Sequence, residues 1–217
     1  MDIGYLVNIL LSGFQTSAVV FCVTLVGALP LGIVVALCRM SKFKPLALIA
    51  RFYISILRGT PLMLQLMAWC YGPYYIFHLT LGTNWTMIAC CIGFVLNYSA
   101  YFGEIYRSGI QSIPKGQYEA AAVLGYSSFQ TFMFIVLPQV FKRILPAMGN
   151  EIIALVKDTS LAFVLGIMEM FTQAKELAAS LVSMVPYACA ALVYWCFTLF
   201  VEFCLNKAEK KLSYYHD

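Results

Sequence analysis

Charge is what this chain of 217 residues has least of: Asp, Glu, Lys and Arg make up 11% of it, against 62% apolar residues. A soluble domain carries about 25% charged and about 45–50% apolar residues. A water-coated enzyme is therefore excluded, and so is a disordered chain, which needs low hydrophobicity. The surplus apolar area has to face lipid. Histidine is nearly absent, with only His78 and His216, and neither has cysteines near it at metal-ligand spacing. The eight cysteines sit inside apolar runs such as Phe21-Cys22-Val23 and Ala89-Cys90-Cys91-Ile92, and read as small buried hydrophobes. No GxxxxGK[ST] phosphate loop occurs, so no ATP hydrolysis, no metal and no cofactor are expected of the chain itself. The net charge of +4 is small and scattered, which excludes nucleic acid as a partner. The first residues carry Asp2 and no Lys or Arg, and no small-residue cleavage site follows, so the first apolar run is expected to be a retained span rather than a signal peptide. Period-two alternation is missing as well, which excludes a β-barrel.

What is present is an all-α integral membrane protein, read as a single transmembrane domain over residues 1–217. A helix needs about 20 mostly apolar residues to cross the hydrocarbon layer. Five stretches meet this, at about 14–38, 52–77, 85–106, 144–168 and 187–205. Lys and Arg collect on one side of them. Arg39, Lys42, Lys44 and Arg51 follow the first stretch; Arg107, Lys115, Lys142 and Arg143 follow the third; Lys207, Lys210 and Lys211 follow the fifth. The opposite loops hold only Lys175. The positive side is the cytoplasmic one, so an odd number of spans puts the N-terminus outside and the C-terminus in the cytoplasm.

The cytoplasmic connection at about 108–140 is not linker-like. Pro114 and Gly116 break the helix before it, Ala-rich residues 117–124 form a short helix, and Gly125 ends that helix. Ser127 or Ser128 caps a second short helix, which Pro138 is expected to bound. Two short helices with a glycine elbow make a stiff knob, and a lone acidic residue on it, Glu119, suits docking into a groove of another protein.

Four separated motifs carry a resemblance. Arg58-Gly59-Thr60-Pro61-Leu62 lies in the second span. Tyr101-Phe102-Gly103-Glu104-Ile105-Tyr106-Arg107 runs on to Gly116-Gln117-Tyr118-Glu119-Ala120-Ala121. Leu137-Pro138 leads to Pro146 and then Asn150-Glu151, and Leu155-Val156-Lys157-Asp158-Thr159-Ser160-Leu161 follows. In this order the chain resembles the permease subunits of binding-protein-dependent ABC importers of type I, in the branch that takes up polar amino acids. The one departure is Gly103, where many members carry Ala. The resemblance implies that Glu119, Ala120, Ala121, Gly125, Leu137 and Pro138 belong to the loop that docks on the ATPase. It further implies two cytoplasmic ATPase subunits that bind the ATP and Mg, a second permease copy or paralogue, an extracellular or periplasmic solute-binding protein, and a bacterial cytoplasmic membrane.

Polar side chains inside spans are costly and mark function. At about 1.5 Å rise per residue, Asn97 lies about 15 Å and Glu151 about 12 Å above the cytoplasmic interface. Asp158 follows Glu151 two turns further out on the same face. Asn97, Ser99, Glu151, Asp158 and Ser160 are therefore the candidate substrate-binding residues. Glu151 or Asp158 suits an ammonium or a cationic side chain, and Asn97, Ser99 and backbone amides suit a carboxylate. The resemblance places such a site between the third and fourth spans. The alternative is that Glu151 and Asp158 only hold the bundle through Arg58 or Lys157. Arg58 reads as a structural bridge with Glu104 as a candidate partner, while Glu104 and Arg107, three residues apart, read as a pair. The segment 169–183 reads as an outer-surface helix over the bundle mouth. The rival function is an ion-coupled secondary amino acid carrier, with the acidic residues of the fourth span binding the ion.

Overall fold

The computed structural model describes residues 3–82 and 84–212; His216 lies outside them. Among the described residues the chain is helical throughout. Helix α1 spans Ile3–Arg39, α2 Lys44–Gly59, α3 Leu62–Phe77, α4 Trp85–Gln111 and α5 Lys115–Val123. Helix α6 spans Leu137–Asp158, α7 Met170–Leu181 and α8 Val185–Leu212. Four helices or helical runs are long and apolar enough to cross a membrane: Gly4–Arg39, Trp85–Gln111, Ser128–Leu165 and Val185–Lys211.

The stretch expected as a single span over 52–77 is instead two helices, α2 and α3, bent by 109° at their junction. The reason is local. Pro61 has no N–H and forces Thr60 out of the helical region, to φ −121° and ψ 150°. Helix α2 has to end at Gly59, and α3 starts again just past the proline. The break frees carbonyls inside an apolar environment, where each must be paired. The Gln65 amide donates to Leu57 O at 2.9 Å and to Thr60 O at 3.1 Å. Asn97 Nδ2 on α4 donates to the same Leu57 O at 2.9 Å and to Gln65 Oε1 at 2.9 Å. Two side-chain amides thus restore what the proline removed.

Helix α4 is the axis of the fold. Its Phe94, Tyr98 and Phe102 are buried in one core with Leu66 of α3 and Leu155 of α6. Helix α1 lies along α4 in close contact because Gly32 and Gly103 face each other: a Cβ at Gly103 would stand 2.8 Å from Val35 Cγ1, and one at Gly32 2.9 Å from the Phe102 Cβ. The departure at Gly103 is therefore a packing feature, a small residue where two membrane helices meet. Helix α7 packs between α1 and α8 around buried Leu6, Leu10, Met170, Ala174 and Ala190.

The second short helix expected in the cytoplasmic connection is not bounded by Pro138. After Ser128–Gln130 the backbone widens to a π-helix over Thr131–Val136 and continues without a stop into α6. A proline lacks the N–H for the preceding turn and its ring crowds that turn's carbonyl. One wide π-turn just before Pro138 makes room for the ring, so Leu137 and Pro138 form the root of α6 rather than the end of the knob. At its far end the same run tightens into a 3-10 helix over Thr159–Leu165. There the Thr159 and Ser160 hydroxyls donate to Val156 O and Lys157 O, at 2.8 and 2.7 Å.

Candidate functional site

A cavity of about 270 Å³ lies where the end of α2 meets α4 and α6, lined by Arg58, Tyr101, Glu104, Ser108, Arg143 and Glu151 among others. It is polar in a region that is otherwise apolar. The broken span supplies Arg58, since the last turn of α2 ends against α4 instead of running on. The Arg58 guanidinium stands over the Tyr101 ring, 5.1 Å from its centroid. Glu104 is held by Arg107 in a bidentate ion pair, as the three-residue spacing leads one to expect. The bridge expected between Arg58 and Glu104 does not form at ion-pair distance. Arg143 reaches away from the cavity, with Nη1 donating to Ser112 O at 2.6 Å and bracing the root of the cytoplasmic connection. Glu151 is half-buried, and no hydrogen bond or ion pair holds it among the described residues.

The five candidate substrate residues do not converge. Glu151 faces the cavity just described. Asp158 is half-buried outside it, and its Oδ2 accepts a hydrogen bond of 2.7 Å from the Tyr98 hydroxyl. Ser160 borders a separate cleft of about 530 Å³ with Lys157, Phe171, Tyr187, Tyr194 and Trp195, between α6, α7 and α8. Asn97 and Ser99 are both buried. Asn97 is engaged at the break between α2 and α3, as described. Ser99 Oγ lies 2.7 Å from the Tyr53 hydroxyl and 2.8 Å from Leu96 O, joining α2 to α4.

Sequence reasoning passed over Gln65, Tyr98, Tyr53 and Glu169. An amide in the run Met63-Leu64-Gln65-Leu66-Met67 is itself an intramembrane polar group, and that signal was available. Glu169 is fully buried and N-caps α7, accepting from Phe171 N and Thr172 N at 2.7 Å each and from the Tyr194 hydroxyl at 3.2 Å. Its burial pushes the carboxyl above the ordinary carboxylate range, while these hydrogen bonds pull the other way.

The cytoplasmic knob is exposed and apolar at its tip. Val123, Leu124 and Phe129 are 88%, 73% and 72% exposed. Gly125, at φ 80°, makes the elbow in a conformation that favours glycine. Ser127 and Gln130 form a reciprocal capping box beyond it. Glu119 and Ala120 face out, whereas Ala121 is buried against its own chain.

The chain is thus a bundle with one stretch broken at a proline, an exposed helical knob and a cavity lined by charged side chains. The family of binding-protein-dependent transport system inner membrane components matches residues 28–214, and the chain belongs to that family. It is a multi-pass permease subunit of a bacterial inner membrane, not itself an enzyme. ATP hydrolysis resides in a partner subunit, and a binding protein is part of the system. Family membership speaks against the ion-coupled carrier.

Among its relatives, the arginine transport system permease protein ArtQ of Bacillus subtilis (strain 168) is 36% identical over 205 residues, covering 94% of this chain and 92% of that one. The L-cystine transport system permease protein TcyB of the same organism is 37% identical over 190 residues, covering 85% of this chain and 78% of the relative. A crystal structure of an amino acid ABC transporter with histidines matches with a TM-score of 0.87 at 31% identity, covering 96% of both chains. The methionine ABC transporter MetNI in an inward-facing conformation shares the fold alone, with a TM-score of 0.68 at 14% identity.

Proposed function

We propose that the chain forms one half of the translocation pathway of an ATP-driven amino acid importer, and that Glu151 receives the substrate's amino group. The observation that carries the second part is a carboxylate inside a span, with no partner of its own, facing a polar cavity. A buried charge without a partner is expensive, and a pathway that admits water and a cationic group relieves that cost. The relatives named for arginine and L-cystine support an amino acid as the substrate class. Asp158 and Ser160 are further stations outward from Glu151. Asn97 bears on the path through the break of the second span, and Ser99 through the junction of α2 with α4.

The rest of the assembly follows from which surfaces are costly in lipid. Asn150, Lys157 and Glu202 are exposed on α6 and α8. Polar and charged side chains turned to hydrocarbon are costly, a charge at a span's centre by about 3 kcal/mol, so this side faces a second permease copy or a paralogue across a wet pathway. The exposed elbow with Glu119 docks on the cytoplasmic ATPase pair, which binds the ATP and Mg. The solute-binding protein meets the mouth formed around α7. The Lys and Arg distribution puts the N-terminus outside and the C-terminus in the cytoplasm. The test of the site is Glu151→Gln in proteoliposomes holding permease, ATPase and binding protein. Uptake of labelled amino acid is expected to fall at least about tenfold with assembly intact; parental uptake would refute the role of Glu151.

A further inference from the structure

The charges around the cavity separate into those already used and those that are not. Both Glu104 carboxylate oxygens are taken by Arg107. Arg143 is spent on the Ser112 carbonyl and hydroxyl. What remains is one cation and one anion. Arg58 has the Tyr101 ring and, among the described residues, no carboxylate within ion-pair distance; Glu151 has no hydrogen bond or ion pair there, although the Arg58 charge acts on it through space. Both line the same cavity of about 270 Å³. The two opposite charges line one cavity without closing an ion pair, and so set a dipole across it. The ligand that matches it is itself a dipole of opposite sense.

We propose that Arg58, together with Glu151, forms a clamp for the zwitterionic head of an α-amino acid: the guanidinium takes the α-carboxylate and Glu151 takes the α-ammonium. This rests on the assignment of Glu151 to the substrate path and adds the pole for the carboxylate, which Asn97 and Ser99 do not supply, because Asn97 is engaged at the break and Ser99 by Tyr53 and Leu96. A guanidinium presents a planar fork that matches a carboxylate in bidentate fashion. The Tyr101 face holds that fork without consuming its hydrogen bonds. Arg58 is in the last turn of α2, next to the bend at Pro61. The clamp reads only the part common to all α-amino acids, which leaves selection among them to groups elsewhere.

The experiment begins with uptake of labelled L-arginine, L-glutamine and L-cystine by proteoliposomes containing the whole transporter, to find the one that is carried. Binding of that amino acid to the permease–ATPase complex, without binding protein, is then compared with binding of its decarboxylated amine (agmatine, 4-aminobutanamide or cystamine). The parent is expected to prefer the amino acid by about tenfold or more, the size of one charge-assisted bidentate contact. Arg58→Gln should weaken the amino acid at least tenfold and leave the amine unchanged, so that the preference disappears; Arg58→Lys should restore part of it. Glu151→Gln should weaken both compounds. Loss of a merely structural residue would weaken both equally and keep their ratio. An undiminished preference in Arg58→Gln overturns the anion pole while leaving Glu151 on the path, provided Glu151→Gln is weakened. Parental binding in both variants overturns both assignments. If Arg58→Gln does not assemble with the ATPase, Ala147→Phe, which fills the same cavity from α6, takes its place: retained binding there overturns the clamp, and lost binding with assembly intact supports it.

Discussion

Proline 61 costs the second span one backbone donor, and Gln65 and Asn97 repair the damage. Replacing either by Leu removes one of the two donors to Leu57 O and breaks the bond between the amides, which should destabilise the permease by about 1–2 kcal/mol. Because both amides serve one carbonyl and bond each other, the double change should not equal the sum of the single ones. Thermal unfolding in detergent checks this, and strict additivity would mean that the two act independently. Glu169 is the second residue with a structural load. Glu169→Ala removes the cap of α7 and should cost about 1–2 kcal/mol. Burial holds its pKa above the unfolded value, so the folded state keeps its proton longer than the unfolded chain does. The protonated cap's contribution is complete below the unfolded pKa and declines as pH rises through the folded one. Glu169→Gln should flatten that decline; a parent whose unfolding midpoint shows no such slope would contradict it. Asn97 was recognisable in the sequence as an intramembrane amide, and so was its depth. Its partner was not, because the carbonyl it serves exists as a free acceptor only after the chain has bent at Pro61.

At the scale of elements, apolar run length found four helical runs long and apolar enough to cross a membrane. It missed the bend at Pro61 inside the second stretch. A hydropathy window adds residues on both sides of Pro61 without registering that the axis turns by 109°. Pro138 misled in the opposite sense: a proline in sequence reads as a stop, yet a π-turn accommodates it. The elbow was legible because Gly125 ends one short helix and a serine at 127 or 128 caps the next; the Gln130 half of the capping box was not. Glu119, exposed on α5 beside apolar Val123 and Leu124, should lose its contact with the ATPase when changed to Arg. At a desolvated charge pair the cost should be about 2–5 kcal/mol. Pull-down of the ATPase in detergent reads the loss, and unchanged recovery with unchanged uptake would refute docking through this helix.

At the scale of the whole molecule, Asn150, Lys157 and Glu202 are exposed on an otherwise apolar bundle, and the proposed second permease half rests on them. The candidate site was only partly readable: Glu151 was singled out from its depth, but Arg58 was assigned to a bridge because the cavity it faces is made by three helices that touch only in the fold. Orientation is testable at this scale. With an impermeant thiol reagent in a cysteine-free background, a cysteine placed at position 82 should label from outside, and cysteines at positions 43 and 209 only after permeabilisation. Labelling of position 43 in sealed cells would reverse the topology.

The central claim is that this chain is a pathway driven by a partner's ATP hydrolysis and fed by a binding protein. The most direct measurement is uptake of labelled L-arginine, L-glutamine and L-cystine into proteoliposomes, omitting one component at a time. Uptake of at least one of them is expected only when permease, ATPase, internal or external ATP on the ATPase side, and binding protein are all present, and it should persist when proton and sodium gradients are collapsed. Uptake by the permease alone, driven by an imposed ion gradient, would contradict the account.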